Sequence, residues 1–172
     1  MNIVLTGMRG SGKSYQGKRL AETLDWKFID TDTLIKKKAG LSVSAIVEKH
    51  GWPYFRKLEK EICEQISTLD EHIISTGGGV IIDRENEKLL RENGRIILLY
   101  RTPENCAKYI IDGSKDRPTL TNRDIKKPED LTAELNEVWN KREKRYRESA
   151  DLIIDVNKEV SPEKILENLQ EI

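Results

Sequence analysis

Gly7-Met8-Arg9-Gly10-Ser11-Gly12-Lys13-Ser14 fits G-x-x-x-x-G-K-[ST], a pattern whose residue types suit the phosphates of a bound nucleotide. Glycines let backbone N–H groups converge on an anion with no Cβ in the way. A helix N-terminus placed behind them adds partial positive charge. Lys13 is expected to reach the β- and γ-phosphates and the Ser14 hydroxyl to ligate Mg²⁺, with Gly10, Ser11 and Gly12 completing the cradle. The context fits: Ile3, Val4 and Leu5 read as a buried strand before the loop. Tyr15, Leu20, Ala21 and Leu24 recur at helical spacing after it. Strand, glycine loop and helix together imply a nucleoside triphosphate site.

Further groups follow other apolar runs. Asp30-Thr31-Asp32 comes after Phe28-Ile29, and residues i and i+2 at a strand end point the same way. Asp30 would then hold a metal through water, and Asp32 would accept a proton from an attacking hydroxyl. The plainer alternative is that Asp32 N-caps a helix beginning at Thr33. Gly77-Gly78-Gly79 follows Ser75-Thr76 and suits either a turn needing positive φ or a backbone laid against a ligand. Arg56 and Glu59 are i and i+3 on one helix face, either a surface ion pair or a glutamate orienting a guanidinium toward a carboxylate. Arg117-Pro118 lies in a polar stretch, Asp112–Pro128, of the kind that forms a lid or a disordered loop. An arginine there is either a solvated charge or a group that closes on a γ-phosphate. Arg142 and Tyr146 share a helix face at i, i+4, where a solvated face is the default.

The elements that must position these groups are legible from periodicity. Five short apolar runs, Ile3–Leu5, Trp26–Ile29, His72–Ser75, Arg95–Tyr100 and Leu152–Val156, read as parallel strands buried on both faces. Helical patterns separate them: Ser14–Leu24, two or three helices between Thr33 and Leu69, Arg84–Glu92, Pro103–Ile110, Leu131–Ser149 and Ser161–Gln170. This alternation predicts an α/β fold with a parallel sheet wrapped by helices, and ligands beyond the carboxyl ends of the strands.

Bulk properties narrow the partners. The 172 residues suit one domain, and 30 basic against 30 acidic residues leave no global field to recruit nucleic acid or a membrane surface. No apolar run approaches a membrane span, and the first residues do not resemble a signal peptide. Cys63 and Cys106 lack metal-ligand spacing and read as reduced, half-buried thiols. These features predict a soluble cytoplasmic protein.

In order and spacing the motifs resemble the shikimate kinase family over essentially the whole chain. The resemblance is carried by Gly7–Ser14, Asp30/Asp32, Gly51…Phe55-Arg56…Glu59, Ile73-Ile74 running into Gly77–Gly79, Arg117-Pro118 and Arg142. Ala39-Gly40-Leu41-Ser42-Val43 also looks like the family's stretch before its arginine motif. The resemblance implies a three-layer α/β/α P-loop fold of the nucleoside-monophosphate-kinase type with a five-stranded parallel sheet. It further implies a single domain over 1–172, with a substrate-binding subdomain at about 31–60 and a lid at about 111–125.

The implied reaction is ATP-dependent phosphorylation of the shikimate 3-hydroxyl, with one Mg²⁺ per subunit, in a monomer. Asp32 would bind substrate hydroxyls and act as base. Ser14 and Asp30 would hold the metal, Asp30 through water. Arg56 and Arg142 would bind the substrate carboxylate, with Gly78 and Gly79 lining the pocket, and Arg117 would stabilise the transferring phosphoryl group. Three positions depart from the pattern: Trp52 after Gly51, Ile110 where many members carry an adenine-stacking arginine, and Lys144 where a proline is usual. A gluconate kinase shares the phosphate loop and the aspartate pair, but not the triple glycine or Phe-Arg-x-x-Glu. A nucleotide-binding regulator without transferase activity would be expected to have lost Lys13, Asp32 or Arg117.

Overall fold

The computed structural model describes residues 1–111, 118–121 and 127–171. Strands β1 (Asn2–Thr6), β2 (Lys27–Asp30), β3 (His72–Ser75), β4 (Gly94–Tyr100) and β5 (Leu152–Asp155) form one parallel sheet in the order β2-β3-β1-β4-β5. Helices α1 (Lys13–Leu24), α2 (Thr31–Ala39), α3 (Val43–Ser67), α4 (Arg84–Glu92), α5 (Pro103–Ile111), α6 (Pro128–Glu148) and α7 (Pro162–Gln170) join them. This is the α/β fold with a five-stranded parallel sheet expected from the apolar runs. The elements differ from the expected spans mainly at their ends.

Alternation along the strands makes two cores, one on each face of the sheet. Ile3 and Leu5 of β1, Ile73 of β3 and Ile97 and Leu99 of β4 pack with Leu20 of α1 and Ile165 of α7. Their neighbours Val4, Ile74, Ile96 and Leu98 face the other way, toward Ile62, Leu90 and Leu135 of α3, α4 and α6. Burial on both faces therefore holds for the three central strands. The edge strands β2 and β5 are partly exposed, with Ile153 at 41%.

Register brings the chemistry-bearing segments together. Leu5 pairs with Ser75, and Ser75 pairs with Asp30. The chain therefore leaves β1, β3 and β2 at one level and one edge, with the phosphate loop, Gly77–Gly79 and Asp30–Asp32 side by side.

Local signals account for the helix ends. Ser42, Asp83 and Ser161 cap α3, α4 and α7 with side-chain acceptors, and Pro162 occupies the first turn of α7. The helix α3 is broken at Gly51, whose φ of 79° and ψ of 168° are not helical, two residues before Pro53. The segment between Thr33 and Leu69 is in effect three helical pieces, as its pattern allows. Cys63 and Cys106 are fully buried rather than half-buried, and burial raises both thiol pKa values, that of Cys106 to about 11. Among the described residues no helix is long and apolar enough to cross a membrane.

Gly17 sets how closely α1 approaches the sheet, because a Cβ there would stand 2.5 Å from a Phe28 ring carbon. Gly→Ala inside a helix ordinarily gains up to about 1 kcal/mol. Overpacking against this partly buried ring costs on the order of 1 kcal/mol or more. Gly17→Ala is therefore expected to lower stability in a urea titration, with no change in slope.

Candidate active site

The phosphate loop closes on itself through its lysine. Lys13, almost fully buried, donates from Nζ to the carbonyls of Gly7 at 2.9 Å and Met8 at 2.7 Å. Gly10 has φ of +83°, and a Cβ there would lie 2.5 Å from the Cys106 carbonyl oxygen. A side chain at this position meets both strain and rigid backbone. Gly10, Gly12, Lys13 and Ser14 face a pocket of about 540 Å³ shared with Asp30, Asp32, Ser75 and Gly78. Ser11 is buried beneath the loop, its N–H donating to the Met8 carbonyl at 3.2 Å.

Asp30 and Asp32 reach this site by a different route from the strand-end rule. Asp30 is the last residue of β2 and the N-cap of α2, which begins at Thr31. The capping role weighed for Asp32 therefore belongs to Asp30, whose Oδ1 accepts from Thr33 N at 3.1 Å. Its Oδ2 accepts from the Ser14 hydroxyl at 2.7 Å, which is 3.3 Å from Ser75 Oγ. Asp32 sits in the first helical turn and also lines a second pocket of about 580 Å³. That pocket adjoins the first through Gly78 and takes in Arg56, Glu59, Gly79 and Arg142.

The triple glycine owes its composition to neighbours rather than to backbone angle, since none of the three has positive φ. A Cβ on Gly77 would sit 2.5 Å from Asp32 Oδ1 and 3.2 Å from Glu59 Oε1, and one on Gly79 would overlap the Arg56 guanidinium. The Gly77 N–H donates to Thr31 Oγ1 at 2.8 Å, and the Gly78 carbonyl accepts from Arg142 Nη1 at 3.1 Å and from the Tyr146 hydroxyl.

Two pairs are less exposed than their sequence context suggested. Glu59 is buried and ion-paired with Arg56, whose guanidinium carbon lies 5.2 Å from the Trp52 ring centroid and 5.6 Å from that of Phe55. Burial pushes the Glu59 carboxyl up to about 7; the charge of Asp32 adds to this, while Arg56 and Arg142 oppose it. Tyr146 is fully buried against Trp139, so the inward face of α6 is not a solvated one.

Ile110 packs against the core, while the adjacent Tyr109 is exposed beneath the Arg101 guanidinium, 4.0 Å from its ring centroid. Arg101 is fixed to the Val156 carbonyl by Nε and Nη2 at 3.0 and 2.7 Å. Arg117 and most of the lid expected at about 111–125 lie outside the described residues.

The structure adds residues to which the motifs assign no role. Arg9, Pro118, Leu120, Leu135 and Val138 line the second pocket. Glu134, behind them, is fully buried. Its signal was present: Glu134 interrupts the apolar stripe Leu131, Leu135, Val138 of α6, where a carboxylate needs partners.

A parallel sheet in this order, a phosphate loop leaving its central strand and a second pocket sharing its wall define a P-loop kinase of the nucleoside-monophosphate-kinase type. The family model for shikimate kinase matches residues 9–172, and the chain belongs to the shikimate kinase family. It is 48% identical over 156 residues to a shikimate kinase of Caldanaerobacter subterraneus subsp. tengcongensis, covering 91% of this chain and 86% of that one. It is 37% identical over 172 residues to shikimate kinase 2 of Photorhabdus laumondii subsp. laumondii, covering 99% and 94%. Its fold matches a shikimate kinase from Acinetobacter baumannii solved in complex with shikimate, with a TM-score of 0.89 and 30% identity over 99% of this chain and 93% of that one. Family membership decides against the gluconate-kinase alternative.

Gly10 and Gly78 are expected to respond differently to a methyl group. Gly10→Ala meets positive φ and a fixed carbonyl and should cost at least about 1 kcal/mol of stability. Added at Gly78, the same methyl finds nothing nearer than 3.5 Å. Gly78→Ala should therefore keep its stability within about 0.5 kcal/mol while losing turnover. Thermal melts paired with initial rates check both.

Proposed function

We propose that this enzyme transfers the γ-phosphoryl group of ATP to the 3-hydroxyl of shikimate, giving shikimate 3-phosphate and ADP on the route to chorismate, with Asp32 as the base. The observation that carries the residue assignment is that Asp32 lines both pockets. A carboxylate shared by a phosphate site and an acceptor site stands where an attacking hydroxyl must lose its proton.

The acceptor pocket suits a polar ring bearing one carboxylate. Arg56 and Arg142 provide cationic donors at one end, and Asp32 accepts hydroxyl protons at the other. Gly78 and Gly79 form a wall with no side chains between them. Glu59 and the Trp52 and Phe55 rings hold the Arg56 guanidinium on its stem, which reduces the ordering left for substrate binding. Lys13, Gly10 and Gly12 hold the phosphates, and the buried Ser11, its N–H on the Met8 carbonyl, braces the loop behind them. Phosphoryl transfer asks mainly for this kind of positioning and charge neutralisation. The acceptor-binding part falls at about 31–60, where α2 and the start of the second half of α3 supply Asp32, Arg56 and Glu59.

The oxygens of Ser14 and Asp30 suit Mg²⁺. Both are hard donors beside the phosphate loop. Among the described residues no group of three or more His, Cys, Asp or Glu is placed to hold a metal. One or two protein oxygens completed by water and phosphates is the usual Mg²⁺ arrangement. When bound, the ion would neutralise charge on the transferring phosphates. The same reading takes the enzyme as a cytoplasmic monomer, with its two buried thiols suited to a reducing compartment.

ADP release with Mg-ATP, measured with shikimate, gluconate, AMP or no acceptor, tests the activity; stimulation by gluconate or AMP instead of shikimate would refute it. Arg56→Ala should lose a charge-assisted contact of about 1.5–3 kcal/mol, raising the shikimate KM roughly tenfold to a hundredfold with little change in the ATP KM. An unaltered shikimate KM would remove Arg56 from the acceptor site.

Shikimate binding should also take up a proton. A bound carboxylate near Glu59 disfavours its ionised form and raises a pKa already at about 7. The complex then holds more protons than the free enzyme, so affinity falls as pH rises through about 7. Calorimetry at pH 7 in buffers of different ionisation enthalpy should show this uptake, and Glu59→Gln should abolish it.

A further inference from the structure

We propose that Glu134 is a positioning residue, tying the Pro118–Thr121 segment to the phosphate loop and so holding one wall of the acceptor pocket in place. The proposal rests on the reading of that pocket as the shikimate site.

Glu134 lies on the inward face of α6 and has no exposed surface. A carboxylate in that position is tolerated only when donors surround it. Its Oε1 accepts from Leu120 N at 2.6 Å, Thr121 N at 3.0 Å and the Thr121 hydroxyl at 3.4 Å. Its Oε2 accepts from Arg9 Nη2 at 3.4 Å. Arg9 completes a ring by donating from Nη1 to the Pro118 carbonyl at 3.2 Å.

The donors to Glu134 come from two segments, the phosphate loop and residues 120–121. Arg9, Pro118 and Leu120 face the acceptor pocket, whereas Glu134 stands behind them and does not line it. An apolar residue at this point of the Leu131, Leu135, Val138 stripe would pack α6 without the cost of burying a charge. What the carboxylate adds is a fixed spacing between the loop that holds phosphate and the wall that faces the acceptor. Loss of that spacing should weaken the acceptor's fit before it weakens nucleotide binding.

Two substitutions separate the parts of the contact. Glu134→Gln keeps an acceptor for the Leu120 and Thr121 N–H groups but removes the charge facing Arg9. Glu134→Ala removes both. The shikimate KM is expected to rise in the order parent, Gln, Ala, reaching at least tenfold in the Ala variant, while the ATP Kd measured without acceptor stays within twofold. Hydrogen–deuterium exchange at Leu120 and Thr121 should accelerate in the same order, a readout that a general loss of α6 packing would spread over the helix instead.

If circular dichroism shows that Glu134→Ala does not fold, Arg9→Met takes its place, with the same two readouts. An unchanged shikimate KM, or unchanged exchange at Leu120 and Thr121, in the folded variant overturns the proposal. Arg56→Ala assayed alongside separates the two readings. If that variant also keeps its shikimate KM, the pocket assignment is at fault, and the tether is then judged on exchange alone.

Discussion

The backbone of Gly77–Gly79 carries no side chains, and the site depends on that bareness. Residues from four directions close on it: Thr31 and Asp32 from α2, Arg56 and Glu59 from α3, Arg142 and Tyr146 from α6, and the phosphate loop across Gly78. A methyl group on Gly77 or Gly79 would stand where a charged atom now lies. The contacts are mutually supporting. The Gly78 carbonyl orients both Arg142 and Tyr146, and the Gly77 N–H holds the start of α2 to the end of β3.

Such crowding places charge where water is scarce. Buried ion pairs contribute little net stability, because desolvation offsets most of the attraction, yet removing one partner is costly. Glu59 shows the balance: burial outweighs the pull of Arg56 and Arg142 on its carboxyl. The arrangement therefore favours position over stability. The stability comes from elsewhere, from the two apolar cores on either face of the sheet. Their alternating strand residues also set the register that brings three loop segments to one edge.

Much of this was legible in the sequence because it is local. Periodicity located five strands and the helices between them, and the phosphate loop was readable as strand, glycines and helix. What was not legible depended on tertiary contact. The Arg56–Glu59 spacing looks the same on a surface or in a core, and only packing against Trp52, Phe55 and the glycines decided it. Arg142 and Tyr146 read as a solvated pair because α6 is rich in charge, whereas the inward face is set by Trp139 and Leu135. The Asp30-Thr31-Asp32 motif reaches the phosphate-side pocket by a geometry other than the strand-end rule. The chain turns from strand to helix at Thr31, so the cap is Asp30, and Asp32 lies two residues further on in the first turn of α2. Glu134 has a local signal as well, since a single acid within an apolar stripe implies buried partners.

The double duty of Asp30 has a further consequence for entropy. One of its oxygens caps α2 and the other faces Ser14, so the carboxylate cannot rotate without uncapping the helix. Immobilising a free side chain at the moment of ligand binding costs about 0.5–1.5 kcal/mol. Here the rotor is already arrested when α2 forms. The disorder is surrendered once, during folding, and is not demanded again in each catalytic cycle.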